Sequence, residues 1–363
     1  MPRYALLVLP ATNRVYAEAS VDLTRAELGV FSESVLGGRI TDVAEETLGG
    51  VPYVTFGVAE PLGARDVAYL SLLSSAYALF ELRELGELRG EGGDAEAAGP
   101  LLSPVTLTPL DQFDDDLLTI QKYVGKTNEF FTKLLLNVTV LASESAGELL
   151  DRRLRILDPL CGRGTTLNQV LMYGWDAAGI EIDGKDVEAY SGFLRTWLKR
   201  KRLKHQAELT PIRRDRKVLG RRFHVTLAAD KAAYKSGDAL DLTVVNADTR
   251  RARDFFRSGS FDAIVTDAPY GVQHGSRSGA PGELSRSPLD LLSAALPGWV
   301  DLLRPGGALG VSWNTHVARR EDAAAALTAA GLRVCDDPAY LGFRHRVDQA
   351  ILRDVLVATK PRD

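Results

Sequence analysis

The sequence predicts an α/β fold in which a largely parallel sheet is preceded by a smaller α+β unit. Three observations lead there. From about residue 120 onward, short apolar strands alternate with helical stretches, as in strand–helix–strand units. A strand at Arg155–Leu157 runs into Asp158 and then the turn Gly162-Arg163-Gly164, with a helix beginning near Thr165. Before residue 88 the order is instead strand, helix, strand, strand, helix. The 363 residues suit two domains at roughly 100–200 residues each. With 45% hydrophobic and 25% charged residues, the chain is neither disordered nor a fibrous rod.

The elements follow in order. Tyr4–Leu9 reads as a strand and Asp22–Ser34 as a helix with an acidic start. Thr41–Leu48 and Val51–Val58 are strand-like on either side of Gly49-Gly50, which supplies the backbone angles of a tight connection. Val67, Leu70, Leu73, Tyr77 and Phe80 then fall on one face at helical spacing. This order predicts a ferredoxin-like unit over residues 1–88. Arg89–Pro100 is rich in Gly, Ala and Glu and has nothing to bury. Asp111 and Asp114–Asp116 extend it, so residues 89–118 are expected to form a flexible acidic linker. Residues 119–363 form the second domain. Its strands are expected at Arg155–Leu157, Ala177–Ile182, Leu242–Asn246, Ala263–Thr266 and Ala308–Trp313, with Gln349–Ala358 at an antiparallel edge.

No apolar run approaches the ~20 residues of a membrane helix, and Ala5–Leu9 stops at Pro10, so a cytoplasmic protein without membrane association is expected. Cys161 and Cys335 are far apart and the five histidines are scattered, which argues against a disulfide framework and against a metal site.

The net charge of −4 hides a concentration of positive charge. Between Arg195 and Arg222 lie twelve basic and two acidic residues, a local charge of +10 that leaves −14 for the rest. Glu181 and Asp248 are 67 positions apart, whereas a strand–helix–strand unit needs only ~30 residues, so a basic insertion is expected at about 199–240. Phe223–Leu227 and Ala239–Val245 alternate as a hairpin would. Arg213, Arg214, Arg216 and Lys217 are the candidate phosphate contacts, the alternative being a solvated basic helix such as Arg195–Lys204.

Four strand ends carry the chemistry. The glycine turn lets a ligand approach the backbone and opens a helix with unpaired N–H groups. It is no phosphate loop, because Gly-Lys-Ser/Thr is missing, and Leu167 stands where a dinucleotide fingerprint wants a third glycine. Asp158 makes the turn anionic, which suits a cationic or zwitterionic ligand. Gly179–Asp183 ends in the carboxylates Glu181 and Asp183, of the kind that hold ribose hydroxyls, and Val244–Asp248 ends in Asp248, suited to an adenine amino group. Thr266-Asp267-Ala268-Pro269-Tyr270-Gly271 follows the apolar strand Ala263–Val265. The Asp267 carboxylate and the Ala268 carbonyl can accept from an exocyclic amine, Pro269 stiffens the turn, and Tyr270 offers a stacking face. Taken singly, each is also compatible with an ordinary strand end.

In combination, glycine turn, ribose acid, adenine acid and Asp-x-Pro-Tyr resemble class I S-adenosylmethionine-dependent amino-methyltransferases. The similarity is to the tRNA guanine 2-amino methyltransferase branch, which Gln121–Asn128 (QKYVGKTN) also resembles. The resemblance covers roughly residues 120–363 and implies a Rossmann-like class I sheet. It implies that Thr127, Asn128 and Phe130 line the methionine end of S-adenosylmethionine. Asp158, Gly162, Gly164 and Thr165 then form its main loop, Glu181 and Asp183 hold the ribose, and Asp248 holds the adenine. Asp267, Ala268, Pro269 and Tyr270 grip the target base. Two departures stand out. The family turn usually reads Asp-Pro-Pro-Tyr, and Ala268 gives up a backbone constraint worth about 0.5–1 kcal/mol. The linker also leaves no room for the THUMP module of the tRNA-modifying relatives.

The expected activity is methylation of an exocyclic base amine in RNA, guanine in tRNA. The alternatives are a DNA adenine or cytosine amino-methyltransferase, and a non-catalytic RNA-binding protein that keeps the cofactor fold. A nicotinamide-dependent oxidoreductase is disfavoured by Asp158 and the missing glycine. The loop Gly271–Pro288 suits a cover over substrate, with Arg277 a phosphate contact. Nothing in the sequence indicates the oligomeric state.

Overall fold

The computed structural model describes residues 1–9, 14–83, 100–214, 217–268 and 288–362. They form two compact units, Met1–Pro109 with Asp337–Gln349, and Leu110–Asp336 with Ala350–Asp363. Among the described residues no helix is long and apolar enough to cross a membrane.

The first unit contains β1 (Arg3–Val8), α1 (Arg14–Val35), β2 (Ile40–Leu48), β3 (Val51–Val58), α2 (Ala64–Leu70), β4 (Ala76–Arg83) and β5 (Leu101–Val105). Its antiparallel sheet has the order β2-β3-β1-β4-β5, a ferredoxin-like arrangement with one strand added at the edge. Gly49 and Gly50 both take positive φ, +57° and +83°, and close the β2–β3 hairpin.

Three sequence expectations are corrected here. The second helix stops at Leu70, and Tyr77 and Phe80 lie on β4. Serines end that helix. Ser71 Oγ donates back to the Val67 carbonyl at 2.6 Å, and Ser74 donates from both N and Oγ to the buried Glu27 carboxylate at 2.9 and 2.6 Å. Residues expected as linker include β5, which pairs with β4, because Leu101–Val105 offers a short extended segment to an open edge. Asp337–Gln349, expected within the second domain, belongs to the first unit. There its 3₁₀ turn Pro338–Leu341 and two-residue strand β14 (His345–Arg346) lie beside α1. Small residues permit that approach, since a Cβ on Gly342 would come within 2.7 Å of the Ala26 Cβ. His345 meets Tyr16 edge-on with ring centroids 6.1 Å apart.

The second unit contains α3 (Asp116–Thr119), α4 (Glu129–Ala142), β6 (Arg155–Asp158), α5 (Thr165–Met172), β7 (Asp176–Glu181), α6 (Gly184–Arg200), β8 (Lys204–Arg214) and β9 (Lys217–Ala228). Then follow α7 (Lys231–Ser236), β10 (Leu240–Asn246), β11 (Phe261–Asp267), α8 (Pro288–Leu302), β12 (Leu303–Asn314), α9 (Arg320–Ala329), β13 (Arg333–Val334) and β15 (Leu352–Thr359). The sheet runs β13-β15-β12-β11-β6-β7-β10-β9-β8. β12, β11, β6, β7 and β10 are parallel, and β15 is antiparallel to β12. The C-terminal strand is therefore antiparallel as expected but interior, because β13 pairs along its other side and takes the edge. Trp299, Phe261, Leu302 and Leu303 are fully buried in the core on the α8 side.

The expected hairpin is present as β9–β10, with Leu227 opposite Leu240 and Arg221 opposite Asn246. What the sequence reading lacked is β8. It pairs with β9 from Lys204↔Ala228 to Arg214↔Lys217, so Arg213, Arg214 and Lys217 lie on an outer hairpin, while Arg195, Lys199 and Arg200 lie on α6. Ile212–Arg214 and Lys217–Gly220 continue past the last β9–β10 pair, which carries them beyond the carboxyl end of β10. Gly220 makes this possible, because a Cβ there would stand 2.5 Å from the Asn246 carbonyl oxygen. Gly220→Ala should therefore displace the hairpin or destabilise the unit by about 1–3 kcal/mol, the usual range for forcing extra atoms into a packed site. Denaturant unfolding checks this, and a stability equal to the parent's, with protected β9 and β10 amides, would contradict it.

Candidate active site

Among the parallel strands the order β12-β11-β6-β7-β10 reverses chain direction between β6 and β11. Open α/β sheets leave a crevice outside the carboxyl ends of the strands at such a reversal. Asp158 ends β6 and Asp267 ends β11, so the two flank that point.

Asp158 is buried. Its Oδ1 accepts from Leu160 N at 3.1 Å and from Thr266 Oγ at 2.9 Å. Desolvation pushes its acid constant up to about 7. The charge of Asp267 acts in the same direction, against donors from Leu160, Thr166 and Thr266. The chain then turns back onto β7, where Cys161 N donates to the Ile180 carbonyl at 3.0 Å. Gly179 permits this docking, since a Cβ on it would lie 2.6 Å from Cys161 Sγ.

Gly162 and Gly164 both take positive φ, +49° and +81°. A Cβ on Gly164 would meet the Tyr190 ring at 2.4 Å, so that glycine is needed for packing. A Cβ on Gly162 would meet nothing within 4 Å, so the outer side of the loop is open to a ligand. Thr165 begins α5, and its hydroxyl lies 3.0 Å from the Tyr123 hydroxyl. Arg163 stacks on that tyrosine at 4.8 Å and donates to Asp186 at 2.7 Å. Thus Gln121–Asn128 folds onto the glycine loop.

Glu181 ties loop to strand: one oxygen accepts from Gly162 N at 2.9 Å and the other from Asp183 N at 2.7 Å. Burial raises its acid constant. Asp183 caps α6 by accepting from Lys185 N at 2.8 Å. Asn246 fastens the end of β10 to that of β7, donating to the Glu181 and Ile182 carbonyls at 2.9 and 3.0 Å. Between the two acids, Ile182 is 55% exposed and presents an apolar wall. Asp248 begins the next turn and accepts from Arg250 N and from the Arg250 guanidinium, both at 2.9 Å. The guanidinium holds its acid constant below the usual carboxylate range.

Asp267 is met from three elements. Thr127 Oγ donates to its Oδ2 at 2.6 Å, Ser312 Oγ donates to Oδ1, and the Arg353 guanidinium stands 3.5 Å from Oδ2. Ala268 N donates to the Ser312 carbonyl at 2.8 Å.

Of the residues singled out in the sequence, Asp158, Gly162, Gly164, Thr165, Glu181, Asp183, Asp248, Asp267 and Ala268 lie at or just past the carboxyl ends of β6, β7, β10 and β11, and Thr127 is hydrogen-bonded to Asp267. Phe130 lies in the first turn of α4, nearby in sequence. Asn128 caps α4: its side-chain oxygen accepts from Phe130 N and Phe131 N at 2.9 and 3.2 Å. Pro269, Tyr270, Arg216 and Arg277 lie outside the described residues.

In the basic hairpin, Arg213 and Lys217 are exposed, while Arg214 reaches the Asp254 carbonyl at 3.3 Å, just beyond Asp248 in the chain. Part of the +10 block is neutralised, because Arg200 and Lys201 pair with Asp116 and Arg221 pairs with Glu188. Sequence reasoning missed Tyr123, Ile182, Ser312 and Arg353. The available signal for Arg353 was a charged pair, Arg353-Asp354, inside an apolar strand.

The strand order and the crevice define an α/β domain built for a nucleoside-type cofactor. Residues 149–304 match the family model described as UPF0020, RMKL-like, methyltransferase domain. This part of the chain is a class I S-adenosylmethionine-dependent methyltransferase domain, and S-adenosylmethionine is its cofactor. Among solved structures, the chain is similar to TrmN from Thermus thermophilus at 16% identity and a TM-score of 0.41, over 99% of this chain and 100% of that one. It is also similar to a TehB-like SAM-dependent methyltransferase from Corynebacterium glutamicum at 17% identity and 0.32, over 59% and 85%. A third similar structure is spermidine synthase from Thermotoga maritima at 14% identity and 0.35, over 80% and 71%. No curated protein sequence matches the chain significantly.

Asp158 yields a pH signature. An unfolded aspartate titrates near 3.9 and the folded one at about 7, so between those values the folded chain holds the extra proton. Stability from this group therefore falls as pH rises from about 4 to about 7 and is flat above. Asp158→Asn should flatten that slope, gaining on the parent at pH 8 but not at pH 4. Melting curves across about pH 4–9 check this, and parallel profiles for the two proteins would refute it.

Proposed function

We propose that this chain methylates an exocyclic base amine in RNA, guanine in tRNA, in the cytoplasm. One observation carries the reading. Thr127, from the segment Gln121–Asn128, donates to Asp267, from the Asp-x-Pro-Tyr turn, at 2.6 Å. The two stretches on which the family resemblance rests, 140 positions apart, meet at one carboxylate.

The residues present fit the cofactor. The open side of Gly162 and the N-terminus of α5 would receive its methionine moiety, with Thr127 and Phe130 near by. Glu181 and Asp183 would take the ribose, and Ile182 and Asp248 the adenine. Asp248 is shared with Arg250 in an exposed pair worth no more than about 1 kcal/mol, so an adenine amine can compete for it. When bound, S-adenosylmethionine supplies an already activated methyl group on a sulfonium, so no metal or nucleophile is called for.

The chain's own task is to hold the amine. The Asp267 carboxylate, oriented by Thr127 and Ser312, would accept an N–H and stabilise charge that builds on nitrogen. The Ala268 carbonyl would accept the second N–H, and Pro269 and Tyr270 would frame the flipped base. The hairpin supports an RNA substrate: its register carries exposed Arg213 and Lys217 past the end of β10, on the side where the crevice opens.

Transfer of labelled methyl from S-adenosylmethionine into total RNA and DNA, followed by nucleoside analysis, tests the reading. The expected product is an N-methylated guanosine from tRNA, with Asp267→Ala slower by about 100-fold or more. Label in DNA alone would replace the RNA assignment, and cofactor binding without transfer would favour a non-catalytic RNA-binding protein. An Asp267→Ala variant as fast as the parent would overturn the assigned site.

Neutralising Arg213, Arg214, Arg216 and Lys217 together should weaken tRNA binding and flatten its salt dependence, by roughly 0.7–0.9 in log–log slope for each phosphate no longer neutralised. Titrations over about 50–300 mM salt measure the slope, and an unchanged slope would remove the hairpin from the interface.

A further inference from the structure

Arg353 lies on β15, opposite Asn314 of β12, outside every motif that carries the family resemblance. Its side chain is 4% exposed. Its guanidinium stacks on Phe131 at 4.2 Å from the ring centroid and stands 3.5 Å from Asp267 Oδ2. A guanidinium this deeply buried requires a compensating anion, and Asp267 supplies it. The adjacent Asp354 turns to a different partner, accepting from Arg320 at 2.8 Å.

We infer that Arg353 is a positioning residue, which orients the Asp267 carboxylate for the incoming base amine. The inference rests on the reading of Asp267 given above. The geometry divides the work among three elements. Thr127, just before α4, fixes Oδ2 by a hydrogen bond, and Ser312 on β12 fixes Oδ1. The guanidinium adds its positive charge 3.5 Å from Oδ2.

The opposing charge near by is Asp158, at the end of β6, whose interaction with Asp267 is repulsive. Without Arg353, the two carboxylates would face each other across the crevice with this guanidinium no longer offsetting their repulsion. Phe131 holds the guanidinium in plane, and Phe131 N is itself tied to the Asn128 cap, so the start of α4 sets both the hydroxyl and the arginine.

The test uses the full chain and two independent readouts. In a stability cycle, Arg353→Met and Asp267→Asn should each lower the melting temperature, and the double variant should lose less than the sum of the two. Additive losses would overturn the ion pair. In methyl transfer to tRNA, Arg353→Met should lower kcat about 10- to 100-fold with the KM for S-adenosylmethionine within about twofold. Arg353→Lys should restore much of the rate. An unchanged kcat, or a lysine variant as impaired as the methionine one, would overturn the role. Should Arg353→Met fail to fold, Arg353→Lys with Asp267→Asn supplies the cycle. If the parent protein transfers no methyl to RNA, it is the functional reading that fails, and the stability cycle still decides whether Arg353 holds Asp267.

Discussion

A carboxylate at the end of a buried strand must find donors, and how this chain supplies them determines the rest of the crevice. Asp158 takes the amide of its own turn and the hydroxyl of Thr266 on the neighbouring strand. Glu181 takes the amide of Gly162, across from the next strand, and so closes the glycine loop onto β7. Asp267 takes Thr127 and Ser312. Apart from the Leu160 amide, each bond reaches from one element to another. The acids that give the crevice its charge are thus also the joints that hold the loops around it, and a ligand meets groups already oriented.

The donors leave the carboxylates unequal. Asp158 is enclosed and repelled by Asp267, and burial lifts its acid constant to about 7. Asp248, at the rim, faces Arg250 and stays readily ionised. A cationic ligand arriving at the closed end therefore gains most where the free protein holds its charge least easily. Apo stability is given up at the place where a sulfonium and an ammonium would restore the balance.

Much of this was legible in the sequence because it is local. Glycines at 162 and 164, acids at strand ends and the hairpin residues of β9 and β10 follow from spacing and alternation alone. The failures are tertiary. Val67, Leu70, Leu73, Tyr77 and Phe80 keep helical spacing across a true helix end, and only the bonds of Ser71 and Ser74, one to a distant glutamate, reveal the break. Asn128 also caps α4, a local role the sequence reading did not separate from a ligand-facing one. β8 was not read as a strand, because its long polar side chains mask a period of two. Its pairing becomes visible only beside β9. Arg353 could not be placed at all, since a charged pair within an apolar strand indicates partners without naming them.

Ala268 shows how a departure from a family pattern can be absorbed locally. Proline at that position would stiffen the turn but carries no N–H. Alanine gives up that stiffness, about 0.5–1 kcal/mol, and gains a donor. The donor is used: Ala268 N bonds the Ser312 carbonyl at 2.8 Å, continuing the β11–β12 ladder one residue into the turn. A net hydrogen bond is worth about 0.5–1.5 kcal/mol, so the exchange is close to even. It also changes what Ser312 does. One residue now fixes the backbone of the turn through its carbonyl and the Asp267 carboxylate through its hydroxyl. The turn is held by strand pairing where its relatives rely on a ring, and the acceptor carbonyl at residue 268 is kept in either case.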